Sequence, residues 1–282
     1  MRLDQTTLLP PPPIIVVDLF PQVLDELLDL LAGLAAEEWG KPTVCPGWSV
    51  KDVALHLLGV EVGNLSRRRD GHSLDASIAG WDELVAVIND WNQSWVQASR
   101  RISPRLLIDV LAFTGAQLCE CFRTLDPYAL GGAVSWVGPE PAPVWLDLAR
   151  EYTERWHHQQ HIRDAVGKPG LKQPRYFAPV LAAFARALPR AFCTASAPEN
   201  TSVTLTMTGD SGGRWSLLRE DGAWRLYVGA PDRPAAEVMI DQDVAWRLFT
   251  RGLDQSLARE QVTVDGDQVL GLRVLDMVSI IA

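Results

Sequence analysis

The segment 151–164 most constrains what this chain can fold into and do, because it places three of the five histidines in one stretch of helical character. At about 100° per residue, positions three or four apart share one face of a helix. Glu154, His157, His158 and His161 would then lie within a single arc. Imidazole nitrogen and carboxylate oxygen are ligands of zinc and related divalent ions, so this face is a candidate metal-binding surface. The alternative is a polar face in contact with solvent.

Composition narrows the class of protein. The chain has 282 residues, of which 47% are hydrophobic and 22% charged, which is typical of one large or two medium globular domains. The net charge is −9, and the only basic run is 67–69, which argues against nucleic acid or an anionic membrane as the main partner. Nowhere do eighteen uninterrupted apolar residues occur, so no membrane span is expected.

The cysteines and the N-terminus bear on the compartment. The four cysteines, at positions 45, 119, 121 and 193, lack CxxC spacing and predict free thiols in a reducing cytoplasm. None is a first-choice nucleophile. Residues 1–17 include four consecutive prolines but not the basic-then-apolar order of a signal peptide, so an extended lead-in and no export are expected.

The first two thirds of the chain show helical periodicity. Apolar residues recur at spacings of three and four. One helix is expected to begin at Val50, because Ser49 and Asp52 form the pattern of a capping box, with Asp in place of Glu. A polar loop at 66–80 places His72 in solvent, and 131–143 is a loop rich in Gly and Pro. The other predicted helices are residues 20–38, 81–101, 105–125, 144–167 and 178–192.

The last third changes character. Alternating Thr, Val and Leu, Gly-rich turns and the Asp221-Gly222 hairpin signal predict strands at 202–207, 214–218, 224–228, 236–240 and near 262. A helix at 243–251 and an apolar helix or strand at 270–281 complete an α+β domain. The predicted organisation is a lead-in at 1–17, a helical bundle at 18–195 and a small α+β domain at 196–282.

A histidine upstream supplies a third candidate ligand. His56 lies in the middle of the helix that starts at Val50, and Gly59 and Gly63 share its face. Small residues there predict open volume beside the imidazole, as a ligand facing a cavity needs. The alternative is a core histidine hydrogen-bonded to a backbone carbonyl.

His56, Glu154 and His158 together form two imidazoles and one carboxylate on different helices, and bundle cores are where such sites are built. Three protein ligands leave a tetrahedral ion with one open position, which distinguishes a catalytic site from a structural one. A thiol bound there would be a thiolate, because the charge of the ion lowers its pKa. The expected chemistry is nucleophilic attack by an external thiolate.

Two motifs carry a resemblance to a known family. Residues 45–54 read Cys-Pro-Gly-Trp-Ser-Val-Lys-Asp-Val-Ala and are followed by His56. The second motif is Glu154, three residues, His158, two residues, then His161 followed by Ile and Arg. Both resemble the mycothiol-dependent maleylpyruvate isomerase family, part of the DinB-like superfamily of metal-binding four-helix bundles. The segment around Trp215 and 224–229 is similar to the sterol-carrier-like domain that many members append.

The resemblance implies a DinB-like four-helix bundle with His56, Glu154 and His158 as metal ligands, zinc or else nickel as the ion, and mycothiol or a similar thiol as cosubstrate. His161 stands where the family has Asp. It is either a fourth ligand, which would fill the open position, or a residue that orients a ligand. His157 is assigned a packing or orienting role.

Five further carboxylate and arginine residues have more than one possible role. Asp52 is a candidate for orienting a ligand, and Glu151 is a candidate base or a solvated glutamate. The resemblance implies that the α+β domain lends a basic residue to bind an anionic substrate. The candidates are Arg214, Arg219 and Arg225, with exposed strand arginines as the alternative. Trp48 and Trp136 are the tryptophans that loops would place over a pocket.

Two functional hypotheses follow. The first is a cytoplasmic, metal-dependent enzyme that uses a low-molecular-weight thiol to isomerise, or conjugate to, a small electrophile. The second is a non-catalytic module that holds a metal or binds an apolar ligand. An open metal site beside Gly59 and Gly63 would favour the enzyme, and a site closed by His161 or His157 would favour the module. The oligomeric state is not indicated by the sequence.

Overall fold

The computed structural model describes residues 8–72 and 80–280, except for the side chain of Trp81. Parts of the predicted lead-in and of the predicted 66–80 loop, and the last two residues, lie outside these ranges. The chain divides into two compact units. The bundle unit comprises 15–130 and 143–171, and the sheet unit comprises the described residues of 1–14 together with 131–142 and 172–280.

The bundle unit is helical, as predicted. Within it α2 contacts α3, α4 and α5, and α1 contacts α4 and α5. Its five long helices are α1 (Phe20–Ala32), α2 (Val50–Asn64), α3 (Trp81–Ser99), α4 (Pro104–Arg123) and α5 (Val144–Val166).

The helices pack through the apolar stripes that the sequence indicates. Val53, Leu57, Leu111 and Ile162, from α2, α4 and α5, are at most 1% exposed and belong to one hydrophobic cluster. Fully burying one such side chain contributes roughly 1.5–3 kcal/mol. The predicted extent of the first helix, 20–38, is wrong at its C-terminal end. The helix stops at Ala32, where the N–H of Gly33 caps the carbonyl of Asp29.

A short turn fixes the start of α2. The N–H of Thr43 donates to the carbonyl of Trp48 (3.1 Å), and the N–H of Trp48 donates to that of Cys45 (3.0 Å). Gly47 has a φ of 77°, a conformation that favours glycine. Both hydrogen bonds of the capping box between Ser49 and Asp52 are present, so the predicted start at Val50 is confirmed.

Both helices that carry the candidate ligands have defined ends. After Asn64, α2 continues as one turn of π-helix, Leu65–Arg69. Helix α5 runs without interruption to Val166 and ends at Gly167, which is left-handed with a φ of 67°. The predicted stop at Gly167 is therefore confirmed.

The sheet unit is built on a five-stranded mixed sheet in the order β5-β4-β3-β6-β7. Strand β3 pairs with β6 in parallel, while the β3–β4, β4–β5 and β6–β7 pairs are antiparallel. Leu9 forms a bridge with Val228 at the β5 edge. The strands are β3 (Ser202–Thr208), β4 (Gly213–Glu220), β5 (Ala223–Val228), β6 (Ala236–Asp241) and β7 (Val262–Gly266).

Helices and a small second sheet complete this unit. The predicted loop 131–143 contains two short paired strands, β1 (Leu130–Ala133) and β2 (Pro141–Pro143). The remaining helices are α6 (Pro174–Ala185), α7 (Leu188–Ala191), α8 (Gln242–Phe249), α9 (Gln255–Arg259) and α10 (Gln268–Leu272), the last followed by a 3₁₀ turn, Arg273–Asp276.

The predicted helix at 178–192 differs from the structure in two ways. It begins earlier, at Pro174, and it divides into α6 and α7. Both pieces fall in the sheet unit, whereas the sequence grouped them with the bundle at 18–195. Within the described residues, no helix is long and apolar enough to cross a membrane.

Candidate metal centre

Helices α2 and α5 bring the three predicted ligands together. His56 lies in the second turn of α2 between Leu55 and Leu57, and all three residues are buried. Glu154 and His158 are one turn apart on α5, which contacts α2. The spacing of four on α5 and the contact between the helices therefore place one imidazole opposite a Glu/His pair.

A single carboxylate oxygen lies at the centre of this group. Oε1 of Glu154 is 2.9 Å from Nε2 of His56 and 3.1 Å from Nε2 of His158. One ligand atom from each residue lies within 4.8 Å of the others. His56 is 4% and His158 9% exposed, while the Glu154 side chain is 25% exposed. The two histidines are thus buried, and the glutamate side chain between them is partly exposed.

These donors suit a divalent ion. Zinc bound to imidazole nitrogen and carboxylate oxygen at about 2.0–2.2 Å in tetrahedral geometry separates its ligand atoms by roughly 3.4 Å. The observed separations need to widen by only a few tenths of an ångström. His56, Glu154 and His158 would hold the ion.

The electrostatics favour the protonation states that bind a metal. Burial opposes ionisation of Glu154, but the charge of His158 and the hydrogen bonds from His158 and His56 outweigh it and hold the pKa of Glu154 well below its usual value. Burial lowers the pKa of His158 to about 3, with a further lowering from His157 and opposition from Glu154. A carboxylate beside a neutral imidazole is the combination that coordinates an ion without first losing a proton.

The other two histidines of α5 take different partners. Nδ1 of His157 donates to the carbonyl of Thr153 (2.8 Å), and its ring lies 4.1 Å from that of His158. Burial lowers the pKa of His157. Nδ1 of His161 lies 3.3 Å from Sγ of Cys45. His161 is therefore placed beside a thiol, and it does not join the group of His56, Glu154 and His158.

The two carboxylates assigned to orienting or base roles are in ion pairs. Oδ2 of Asp52 accepts from the N–H and Oγ of Ser49, and both oxygens pair with Arg100 at 2.9 and 3.0 Å. Burial opposes ionisation of Asp52, but Arg100 and Ser49 together lower its pKa. Asp52 therefore holds the start of α2 rather than a ligand histidine.

Glu151 is buried, at 2% exposure, so the solvent-exposed alternative is wrong. Its Oε2 accepts from Nδ2 of Asn64 (2.9 Å), and its Oε1 pairs with Arg150 and lies 3.6 Å from Arg68. Glu151 therefore ties α5 to the end of α2 and to the π-turn that follows it. These contacts support a structural role for Glu151.

The expected open volume beside His56 is only partly present. A Cβ at Gly59 would lie 2.7 Å from the indole of Trp95, which fills that space. Gly63 is exposed, and a Cβ added there would meet no atom within 4 Å. The ring of Trp48 packs 5.2 Å from that of His56, and its Nε1 donates to Gln93 (2.8 Å). Tryptophans therefore form one wall of the centre.

The remaining predicted residues belong to the sheet unit. Arg214 pairs with Glu237 (3.4 Å), and Arg225 pairs with Asp221 (3.2 Å). Arg219 lies over the ring of Trp224, and its buried Nε has no hydrogen-bond partner among the described residues. Trp136 is 1% exposed and is a core residue of this unit.

Sequence reasoning missed the contribution of Cys45. The thiol was set aside because no second cysteine lies at metal-binding spacing, yet the structure brings it to His161 and His158. The available signal was the position of Cys45 in the turn before α2, three residues before Trp48. The ring of Trp48 packs beside that of His56. Burial raises the pKa of this thiol to about 11.

The fold and site define a class: a helical bundle in which two helices bring two histidines and a glutamate together, with a small mixed sheet in the second unit. The profile of the mycothiol maleylpyruvate isomerase N-terminal domain matches residues 20–163, more than half of the chain. The chain belongs to this family, as the sequence motifs indicated.

Further comparisons identify relatives and solved structures that are similar to this chain. Two uncharacterized proteins of Mycobacterium tuberculosis, from two strains, are 26% identical over 215 residues, which span 74% of this chain and 78% of each relative. A crystal structure of the mycothiol-dependent maleylpyruvate isomerase superposes with a TM-score of 0.53 at 14% identity over 88% of this chain and 91% of that one. A histidine-to-alanine mutant of that enzyme gives 0.52 at 13% identity over the same shares. These structures show that the fold is shared.

Proposed function

We propose that this protein is a metal-dependent enzyme that uses a low-molecular-weight thiol of the mycothiol type to isomerise, or conjugate to, a small electrophile. The observation that carries the proposal is the convergence of His56 and His158 on one oxygen of Glu154, at 2.9 and 3.1 Å. Membership in the mycothiol maleylpyruvate isomerase N-terminal domain family supports the choice of thiol. Zinc fits the donor set best, with nickel as the alternative.

The residues of the centre would divide the work. His56, Glu154 and His158 would hold the ion. A bound ion would supply the positive charge that lowers the pKa of the thiol cosubstrate and keeps it as a thiolate. The outward-facing Glu154 gives the cosubstrate access, and the ring of Trp48 limits where it can lie against His56.

The proposed reaction requires neither an oxidant nor a reductant. The thiolate sulfur adds to one carbon of a conjugated double bond, and the electron pair moves to the attached carbonyl as an enolate. Rotation about the resulting single bond and elimination of the thiolate restore the double bond in the other geometry. If the enolate takes a proton first, the thiol conjugate is the product. Maleylpyruvate is one electrophile of the required kind.

The sheet unit is proposed to bind an anionic group of the substrate or thiol. Arg214, Arg219 and Arg225 are the candidates, since a guanidinium forms charge-assisted hydrogen bonds to a carboxylate. Arg219 is the first to test, because its Nε has no hydrogen-bond partner among the described residues, while the other two pair with acidic side chains. The free cysteines and the thiol cosubstrate support a cytoplasmic location.

The proposal is tested by turnover. The zinc-loaded protein is incubated with a low-molecular-weight thiol and either maleylpyruvate or a panel of electrophiles, and isomer formation and thiol consumption are measured. His56→Ala should abolish activity, whereas His72→Ala, a change at an exposed histidine, should retain it. Activity in His56→Ala equal to that of the parent would sink the assignment.

A non-catalytic metal-holding module is the second candidate. The indole of Trp95 packed against Gly59 favours it, since this removes part of the space expected beside His56. The same assay separates the two. A protein that binds zinc stoichiometrically but neither isomerises maleylpyruvate nor consumes thiol with any electrophile would support the module, and thiol-dependent turnover would exclude it.

A further inference from the structure

A second set of ligand atoms lies next to the proposed centre and is not used by it. Cys45, His158 and His161 each offer one atom, and the three atoms lie within 4.8 Å of one another. Sγ of Cys45 is 3.3 Å from Nδ1 of His161. Zinc–sulfur and zinc–nitrogen bonds of about 2.3 and 2.1 Å in tetrahedral geometry place the two ligand atoms roughly 3.6 Å apart. The observed distance is therefore close to what one ion requires.

The fold holds these atoms in place. Cys45 lies in the turn closed by Thr43 and Trp48, and its N–H donates to Oγ1 of Thr43 (3.2 Å). His158 and His161 are three residues apart on α5, so they share a face of that helix. Nδ1 of His158 is buried without a hydrogen-bond partner among the described residues, which is a cost that a bound ion would remove.

We propose that Cys45, His158 and His161 form a second binding set for a thiophilic ion, such as Cd²⁺ or Cu⁺, that excludes the ion held by His56, Glu154 and His158. This inference rests on the proposed metal centre, because both sets contain His158. One thiolate and two imidazoles are softer ligands than two imidazoles and a carboxylate, so the two sets differ in the ions that they prefer. Binding releases the thiol proton of Cys45 to solvent.

The exclusion follows from charge and from the shared residue. A neutral imidazole has one nitrogen lone pair, so His158 can bind one ion at a time, and two cations beside the same buried histidine would also repel each other. A thiophilic ion that takes Cys45, His158 and His161 therefore removes His158 from the other set. The expected result is loss of zinc and of the open site, without any change in sequence or fold.

Cadmium titration of the metal-free full-length protein tests the inference. We expect one equivalent of cadmium to produce the ultraviolet charge-transfer absorption of a cadmium–thiolate bond. Cys45→Ser should lose this band, while Cys121→Ser, a change at another half-buried cysteine, should keep it. Circular dichroism and the melting temperature establish that each variant is folded. A band of parental intensity in Cys45→Ser, or no band in the parent, would overturn the proposal.

A second titration tests the exclusion and separates the two proposals. Cadmium added to zinc-loaded protein should release one equivalent of zinc, detected with a chromogenic chelator, and simultaneous binding of both ions would overturn the exclusion. In His56→Ala we expect zinc binding to be lost and the cadmium–thiolate band to remain. Zinc that survives in His56→Ala is traced by adding Cys45→Ser: zinc that still remains bound refutes the proposed centre, and zinc that is then lost was held by the second set. Loss of the cadmium band in His56→Ala refutes the independence of the second set.

Discussion

Oε1 of Glu154 lies 2.9 Å from Nε2 of His56, a residue 98 positions earlier in the chain. The same oxygen lies 3.1 Å from Nε2 of His158, so one carboxylate oxygen joins α2 to two turns of α5. The candidate metal centre is therefore a product of helix packing rather than of a local motif. Its geometry depends on how α2 is held against its neighbours.

The two glycines on the His56 face of α2 should respond to alanine in opposite directions. At Gly59 a Cβ would lie 2.7 Å from the indole of Trp95, whose Nε1 donates to the carbonyl of Leu55 (2.8 Å). We expect Gly59→Ala to lower the free energy of unfolding by about 1–3 kcal/mol through overpacking. Gly63→Ala meets nothing within 4 Å and should raise it by about 0.5–1 kcal/mol. Urea unfolding measures the change in the free energy of unfolding for both variants. A stabilised Gly59→Ala variant would contradict the close packing of Trp95 against Gly59.

Loss of the Glu151 carboxylate should destabilise the bundle. Glu151→Ala removes the buried carboxylate that pairs with Arg150 and accepts from Asn64, while Asp147 still pairs with Arg150 and Arg68. We expect a loss of about 1–3 kcal/mol in the free energy of unfolding, measured with urea. Glu120→Ala is the control, because its side chain is 71% exposed and its pair with Arg123 lies on the surface. The control should change stability by less than about 0.5 kcal/mol, and equal losses in both variants would refute the assignment.

The metal-free protein should lose stability as the pH falls below 6.5. His158 has a pKa of 6.5 when unfolded, and burial lowers it to about 3 in the fold, so between these values the unfolded chain binds a proton that the folded chain does not. His157 shifts in the same direction. Stability then falls with falling pH, by up to about 1.4 kcal/mol per pH unit for each such group.

Urea midpoints of the metal-free protein between about pH 7 and pH 4 provide the measurement for this dependence. Other groups titrate in the same range, so His158→Gln is the matched comparison, and its midpoint should fall less steeply. Equal slopes for the parent and the variant would show that His158 is not buried in its neutral form.

Local signals in the sequence predicted local structure well. The capping box of Ser49 and Asp52 predicts the start of α2, and Gly167 predicts the end of α5, because both effects act within one turn of helix. The start of α6 was missed although Pro174 at the first helical position signalled it.

Contacts between distant segments were not predictable. Cys45, in the turn before α2, and His161, on α5, are 116 residues apart. The helical periodicity of α2 and α5 does not indicate that this thiol and this imidazole meet. Trp95 fills the space at Gly59 because α3 packs on α2, and that packing is set by the whole unit. The family motifs supplied the pairing of His56 with Glu154, which spacing alone does not give.

The metal content of His56→Ala tests the central claim most directly. The parent, His56→Ala and His72→Ala are purified from zinc-supplemented medium, and bound metal is measured by mass spectrometry after confirmation of folding by circular dichroism. The account predicts one tightly bound ion per chain in the parent and in His72→Ala, and almost none in His56→Ala. Equal metal content in all three proteins would contradict the centre formed by His56, Glu154 and His158.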